Sequence, residues 1–309
     1  MGRRRIVIAL GGNALLQRNQ PLDAGPQLHN IGRAVDALAP LALFHDLVLT
    51  HGNGPQVGLL ALESSADSAL TSPYPLDALG AETQGLIGYW LAQALGNALP
   101  GTDVGALVTQ TVVSLDDPAF SAPTKFIGAV YTEARARELA AIGGWTIAAD
   151  GTGWRRVVAS PRPREIVELG LIEQLVAAGA VVVCAGGGGI PVARSPEGAL
   201  VGIEAVIDKD LTSALLAEKL SAEALILLTD VAAVSTDITD PLAPAITRAT
   251  PAELRGNQFA AGSMGPKVDA VCSFVERTGG MAAIGALADV RSILAGTAGT
   301  IVTPSGVFP

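Results

Sequence analysis

Short apolar runs alternate with stretches of helical periodicity along most of the chain. Uninterrupted apolar runs at 6–9, 180–185 and 224–228 are typical of strands buried on both faces of a parallel sheet, and a further buried strand is predicted at 46–50. Further strands are predicted at 104–113, 281–285 and 299–303, and helices at 26–43, 56–68, 80–98, 165–178, 211–220 and from about 260 to 277. This alternation predicts an α/β fold with a mainly parallel central sheet.

Residues 116–163 depart from this alternation. The polar turn at 150–153 separates two β-like runs, 145–148 and 154–159, as in a hairpin. Ordered excursions of this length often cover a binding site. We therefore predict a small subdomain, or lid, rather than part of the main sheet.

Glycines follow three of the predicted buried strands. The residues concerned are Gly11, Gly12 and Asn13 after the first strand, Gly52, Asn53 and Gly54 after the second, and Gly187 and Gly188 within the four glycines after the third. Each turn alone is better explained by a tight connection or close packing than by ligand binding. Three such turns at equivalent strand ends favour a shared backbone cradle for phosphate oxygens. None of them is a Walker A motif or a dinucleotide fingerprint.

The chain contains four lysines, Lys125, Lys209, Lys219 and Lys267. All but Lys219 lie in Gly/Pro-rich stretches or at the start of a predicted helix, and phosphoryl transfer needs cations on the migrating group. Surface pairing of Lys209 with a neighbouring aspartate is the alternative, and for Lys125 the two interpretations are equally balanced. Asp210 either favours the first turn of its helix or holds the lysines by charge pairing. Asp208 is expected to cap that helix.

Other polar side chains have weaker signals. Asp230 follows a buried strand. Three roles are open for its carboxylate: it binds a ribose hydroxyl, it helps to hold Mg²⁺, or it simply caps the next element. His51, which precedes Gly52, is a candidate general base but is assigned a mainly structural role. Cys184 and Cys272 lack partners at metal-ligand spacing and are expected to be packed thiols. No protein-held metal is predicted.

Composition excludes some classes of function. The chain has 309 residues, of which 49% are hydrophobic and 16% charged, so that a large core can form. A net charge of −9 argues against nucleic acid as a partner. No apolar run has the length of a membrane span or signal peptide, and we expect a cytoplasmic location.

Taken in order, the motifs closely resemble those of the carbamate kinases, within the amino acid kinase superfamily. The matching stretches are ALGGNAL (9–15), THGNGPQVG (50–58), LGAETQG (79–85), DDPAF (116–120), PTK (123–125), WRRVV (154–158), AGGGGIP (185–191), EAVIDKDL (204–211) and QFAAGSMGPK (258–267). They cover nearly the whole chain, which is far more specific than any single glycine turn.

The resemblance implies a three-layer αβα sandwich and a homodimer. It places carbamate or carbamoyl phosphate in an N-terminal half, 1–205, which includes the 116–163 subdomain, and ATP or ADP with Mg²⁺ in a C-terminal half, 206–309. The implied reaction is reversible phosphoryl transfer between ATP and carbamate, often run towards ATP during arginine breakdown. Implied catalytic residues are Lys125, Lys209, Asp210 and Lys267, with nucleotide contacts from Lys209, Thr229, Asp230, Val231, Met264 and Lys267.

Position 9 and two departures from the family's usual sequence bear on the alternatives. Related acetylglutamate, aspartate and uridylate kinases carry a lysine where this chain has Ala9, which argues against another acyl-phosphate kinase. After Thr229-Asp230-Val231 the family usually continues Asp-Gly-Val-Tyr, whereas this chain has Ala-Ala-Val-Ser at 232–235. That loop borders the nucleotide half, and it is the basis for a second alternative, a non-catalytic sensor of nucleotide or carbamoyl phosphate. Phe126 also replaces the usual proline after Lys125.

Overall fold

The structure is a computed structural model that describes residues 3–17, 20–236, 243–257, 259 and 264–308. For residues 13 and 14 it describes the backbone alone. The statements below concern these residues.

The strands in chain order are β1 (Arg4–Leu10), β2 (His45–His51), β3 (Val104–Ala106), β4 (Gln110–Val112), β5 (Lys125–Tyr131), β6 (Thr146–Asp150), β7 (Gly153–Val158), β8 (Glu165–Ile166), β9 (Val181–Val183), β10 (Ile190–Arg194), β11 (Leu200–Gly202), β12 (Ala224–Thr229), β13 (Val234–Ser235), β14 (Ala245–Ile246), β15 (Arg248–Ala249), β16 (Met281–Ala286) and β17 (Thr300–Val302).

The α-helices are α1 (Gly12–Leu15), α2 (Ala24–Ala42), α3 (Gly54–Ala66), α4 (Leu76–Ala98), α5 (Glu133–Gly143), α6 (Leu169–Ala177), α7 (Lys209–Lys219), α8 (Pro251–Arg255), α9 (Met264–Thr278) and α10 (Val290–Leu294). Short 3₁₀ turns occur at Pro118–Phe120, Gly186–Gly188 and Leu287–Asp289.

Eight strands form the central sheet, in the order β15-β17-β16-β12-β1-β2-β9-β3. Every neighbouring pair is parallel except β16 and β17. The predicted mainly parallel sheet is therefore confirmed. The strands that precede the glycine turns, β1, β2 and β9, are neighbours, so their carboxyl ends meet at one edge. Ligands bind at this edge in open α/β sheets.

Helices cover both faces of the sheet. Along β1, Val7 and Ala9 point into a core shared with α6, α7 and α9, whereas Ile6, Ile8 and Leu10 point into a core shared with α2, α4 and α10. Successive strand residues face opposite sides of a sheet, which explains why an uninterrupted apolar run is needed here. The three-layer αβα sandwich is thus confirmed.

The predicted strand at 104–113 is wrong, because the chain divides there between two sheets. β3 joins the central sheet, and β4 joins a four-stranded sheet in the order β11-β10-β4-β8. Between them, the side-chain amide of Gln84 on α4 donates to the carbonyl of Thr109 at 3.0 Å and accepts from its N–H at 2.8 Å. The N–H of Thr109 is therefore unavailable to a strand ladder, whereas its carbonyl also accepts from the N–H of Ile190 at 2.8 Å.

Another expected boundary also changes. The predicted helix at 165–178 begins with the short strand β8, and α6 starts only at Leu169. The other predicted strands and helices are present to within a few residues, except that the predicted start of the last helix, at 260–263, lies outside the described residues.

A small subdomain lies within the predicted excursion. β5, β7 and β6 form an antiparallel sheet with α5 packed beside it, and the predicted hairpin joins β6 to β7. The central sheet itself is continuous across residue 205, since β1 pairs with β2 on one side and with β12 on the other. The division into halves at 205 stays a prediction. No described helix is long and apolar enough to cross a membrane.

Candidate active site

A cavity of about 360 Å³ opens at the carboxyl ends of β1, β2 and β12. The residues that line it are Gly11, Gly12, Gly52, Asn53, Gly54, Pro55, Lys125, Phe126, Ile127, Arg155, Gly187, Val206, Ile207, Asp208, Lys209, Asp210, Thr229, Asp230, Val231, Met264, Pro266 and Lys267. The cavity therefore joins the glycine turns, the start of α7, the end of β12, the start of α9 and the subdomain.

The glycine turns form one wall through close backbone contacts. Gly11 donates its N–H to the carbonyl of Leu228 at 2.9 Å, and Gly52 donates to Leu10 at 3.1 Å. A Cβ on Gly11 would lie 2.6 Å from the Leu228 carbonyl oxygen, so only glycine fits there. The turns after β1 and β2 are thus packed against each other and against the end of β12, and of the predicted third turn, after β9, Gly187 lines the cavity.

The start of α7 supplies the charged floor of the cavity. Asp208 caps the helix, as predicted, by accepting from the backbone N–H groups of Asp210 and Leu211. Lys209 and Asp210 follow as the first helical residues. The Nζ of Lys209 contacts one carboxylate oxygen of Asp210, and the Nζ of Lys267 contacts the other, both at 2.8 Å. Two lysines from different helices are therefore held by a single carboxylate.

The electrostatics of this triad follow from its burial. Burial on its own would raise the pKa of Asp210, but Lys209 and Lys267 outweigh it and hold that pKa well below its usual range. Burial lowers the pKa of Lys209, an effect that Asp210 only partly offsets. For Lys267, burial also opposes the charge, yet the attraction of Asp210 prevails and raises the pKa. The triad of Lys209, Asp210 and Lys267 carries two positive charges and one negative charge, which leaves one net positive charge for an anion to neutralise.

Lys125 reaches the cavity from the subdomain. It is the first residue of β5, and its Nζ contacts Oδ2 of Asp208 at 2.5 Å. Arg155, on the neighbouring strand β7, lies over the ring of Phe126 at 5.7 Å and donates to the carbonyl of Gly128. The subdomain therefore contributes two cations to the cavity, and an aromatic ring lies beside one of them.

The structure brings together nearly all the predicted site residues. The predicted nucleotide contacts Thr229, Asp230, Val231, Met264 and Lys267 line the cavity opposite the subdomain. The roles assigned to all these residues stay predictions, because the geometry shows proximity and charge rather than a bound ligand.

Three of the predicted positions need separate comment. The side chain of Asn13 lies outside the described residues. Gly188 does not line the cavity, in contrast to its predicted role. A Cβ there would lie 2.6 Å from the carbonyl oxygen of Ile207, and its own carbonyl accepts from Thr212, so it is a packing glycine. The side-chain amide of Asn53 donates to Thr83 and helps to fix its turn.

Sequence reasoning missed two charged residues that line the cavity. Asp208 was expected only to cap α7, and its partner Lys125 lies 83 residues away in sequence. Arg155 lies in the WRRVV stretch, and nothing local distinguishes it from Arg156, which pairs instead with Glu204. An arginine pair in a predicted lid was the available signal, but it does not say which of the two faces the cavity.

Other reactive groups are buried away from the cavity chemistry. Burial lowers the pKa of His51 to about 4, and its ring contacts the carbonyl of Gly52. Burial raises the pKa of Cys184 to about 12 and that of Cys272 to about 11, and neither forms a disulfide. Within the described ranges, no cluster of three or more histidine, cysteine or carboxylate side chains has the arrangement of a metal site.

The sequence and the fold place the protein in a known family. The family model for the amino acid kinase family matches residues 4–284. Because this match covers most of the chain, the protein belongs to the amino acid kinase family.

Within that family, the chain is similar to carbamate kinases. The carbamate kinase of Rhizobium meliloti is 54% identical over 304 residues, which cover 97% of this chain and 94% of the relative. The structure of carbamate kinase from Giardia lamblia bound to citric acid has a TM-score of 0.91 at 39% identity, covering 97% of this chain and 98% of that one. The same Giardia enzyme bound to AMP-PNP has a TM-score of 0.87 at 39% identity, with 97% and 98% covered.

Proposed function

We propose that the protein is a carbamate kinase, which transfers a phosphoryl group reversibly between ATP and carbamate. In the reverse direction, ADP and carbamoyl phosphate give ATP and carbamate, and carbamate then breaks down to ammonia and CO₂. The observation that carries the proposal is the cavity in which Lys209 and Lys267 share Asp210 while Lys125 approaches from the subdomain. Similarity over 97% of the chain to a carbamate kinase supports the same assignment.

The chemistry follows from the charges. Phosphoryl transfer passes through a loose transition state with charge on the equatorial oxygens, so the protein contributes mainly position and positive charge. Lys209 and Lys267 are oriented in advance by Asp210 and need no reorganisation when the phosphoryl group arrives. Carbamate is already an anion and needs no base, which agrees with a buried His51 whose pKa is lowered to about 4.

We further propose that ADP or ATP binds at Thr229, Asp230, Val231, Met264 and Lys267. The similar Giardia structure with AMP-PNP supports a nucleotide in this class of fold. Mg²⁺ would arrive with the nucleotide, because it prefers oxygen ligands and keeps several waters. Asp230, an exposed carboxylate on the cavity wall, fits a single protein contact to such an ion. The ion would neutralise phosphate charge that the lysines do not reach.

The test is a coupled assay of ATP formation from ADP and carbamoyl phosphate, comparing the wild-type protein with Lys209→Ala. Removing a preorganised charge of this kind costs roughly 100- to 1000-fold in kcat. The matched control is Lys219→Ala, on the same helix, whose exposed side chain pairs with Glu218. It should leave kcat unchanged.

Each result of the assay bears on a different claim. No turnover by the wild-type protein would overturn the function, whereas normal turnover by Lys209→Ala would overturn the residue assignment. Acetylglutamate, aspartate and UMP, offered with ATP, should not be phosphorylated. Nucleotide binding without turnover would support the sensor alternative instead.

The homodimer, the cytoplasmic location and a role in arginine breakdown also belong to this proposal. The sequence resemblance supports the homodimer and the role in arginine breakdown, and the location is the expectation from the lengths of the apolar runs. Light scattering coupled to gel filtration tests the first of them, with a mass of twice 31.3 kDa as the expected value.

A further inference from the structure

The two carboxylate oxygens of Asp208 contact two different parts of the molecule. Oδ1 accepts from the backbone N–H groups of Asp210 and Leu211, at 2.9 and 3.3 Å, and so caps α7. Oδ2 contacts the Nζ of Lys125 at 2.5 Å. A single carboxylate therefore connects the first residue of the subdomain sheet to the N-terminus of the helix that carries Lys209.

The segment at 204–208 is attached to the subdomain at further points. The N–H of Val206 donates to the carbonyl of Ala159, just beyond β7, at 3.0 Å. The side chain of Val206 packs in one buried cluster with Ile127 of β5 and Val158 of β7. Because both strands are held against the segment just before α7, the position of the subdomain is mechanically linked to the start of that helix.

Lys125 depends on Asp208 for its place in the cavity. Within the described residues, the ion-pair partner of Lys125 is Asp208. The neighbouring Asp210 is already occupied, because its two carboxylate oxygens contact Lys209 and Lys267. The Lys125 side chain is 31% exposed, and its flexible stem ends in an ammonium group that pairs with Asp208. Loss of the Asp208 charge would leave Lys125 attached to β5 without a fixed position for its ammonium group.

We propose that Asp208 is a positioning residue that holds the ammonium group of Lys125 in the cavity and thereby couples the docked subdomain to the N-terminus of α7. This inference rests on the proposed function for its kinetic consequences. Its structural consequence, tighter docking of the subdomain, is independent of any reaction.

The test is a double-mutant cycle with Asp208→Asn and Lys125→Ala. Asparagine caps a helix as well as aspartate does but carries no charge, so Asp208→Asn removes the ion pair and keeps α7 capped. We expect kcat to fall roughly 10- to 100-fold, as for a misplaced catalytic group, while KM for ADP stays unchanged. In the Lys125→Ala background, Asp208→Asn should cause no further loss, because its effect passes through Lys125.

Hydrogen exchange gives a readout that does not depend on activity. In the Asp208→Asn protein, amides of β5 and β7 should exchange faster than in the wild-type protein, while amides of α7 keep their protection. Equal losses of kcat in both backgrounds, wild-type kcat in Asp208→Asn, or unchanged exchange in β5 and β7 would each overturn the inference. If the wild-type protein shows no turnover, the proposed function fails and hydrogen exchange alone decides the role of Asp208.

Discussion

Replacing Gly58 by alanine should separate the subdomain from the main body and impair catalysis while leaving the fold intact. Gly58 lies on α3, where it meets the bend of β5 at Gly128, a residue with φ of +73°. A Cβ on Gly58 would lie 2.0 Å from the Cα of Gly128 and 2.2 Å from its nitrogen. These are backbone atoms, so no side-chain rotation relieves the overlap.

The size of the displacement follows from these distances. An ordinary contact begins at 3.4 Å, so α3 and β5 must move apart by about 1.4 Å. Lys125 lies three residues before Gly128 on β5 and moves with it. A displacement of about 1 Å in a catalytic group can cost roughly 100-fold in rate, and we expect a loss of that order in kcat.

Stability should change much less than activity. Alanine is favoured over glycine within a helix by about 0.5–1 kcal/mol, whereas overpacking costs about 1–3 kcal/mol. The net loss, on the order of 0–2.5 kcal/mol, is smaller than the roughly 5–15 kcal/mol by which typical proteins are stable. Urea unfolding measures this quantity, and the coupled ATP-formation assay measures kcat.

Gly96→Ala is the matched control, because a Cβ at this exposed position of α4 meets nothing within 4 Å. It should leave kcat unchanged and raise stability slightly. If Gly58→Ala retained wild-type kcat, the contact between α3 and β5 would not position Lys125, and the account of the subdomain would be wrong.

Two further predictions concern buried groups. Burial lowers the pKa of His51 from 6.5 to about 4, so the unfolded chain is protonated at a higher pH than the folded one. The stability that neutral His51 contributes is therefore fully present above pH 6.5 and is lost as the pH falls towards 4. The loss of unfolding free energy is roughly 3 kcal/mol. Urea unfolding at several pH values should show it in the wild-type protein but not in His51→Gln. An equal dependence of stability on pH in the two proteins would contradict it. Cys184 and Cys272 are buried with raised pKa values, so Ellman's reagent should label neither thiol in the folded protein and both in urea; rapid labelling before unfolding would contradict their burial.

Local patterns predicted the elements that depend on neighbours in sequence. The apolar run at 6–9 marks β1 because a strand covered on both faces needs apolar residues at every position. Likewise, the capping role of Asp208 depends on residues only two and three positions away.

Features that depend on distant partners could not be predicted in this way. The break between β3 and β4 is determined by Gln84, which lies 25 residues before Thr109. The ion pair of Lys125 with Asp208 spans 83 residues, and no periodicity or local motif encodes that contact. The orientation of Arg155 towards the cavity depends on its contacts with Phe126 and Gly128 in the neighbouring strand.

The central claim is that this cavity transfers a phosphoryl group between carbamoyl phosphate and ADP. Phosphorus NMR of the protein with ADP, Mg²⁺ and carbamoyl phosphate tests this claim most directly, because substrate, product and free phosphate give separate signals. We expect the γ-phosphate signal of ATP to grow at the rate at which the carbamoyl phosphate signal declines, once the uncatalysed breakdown of carbamoyl phosphate is subtracted. Decline of carbamoyl phosphate into inorganic phosphate alone, at the same rate with and without the protein, would contradict it.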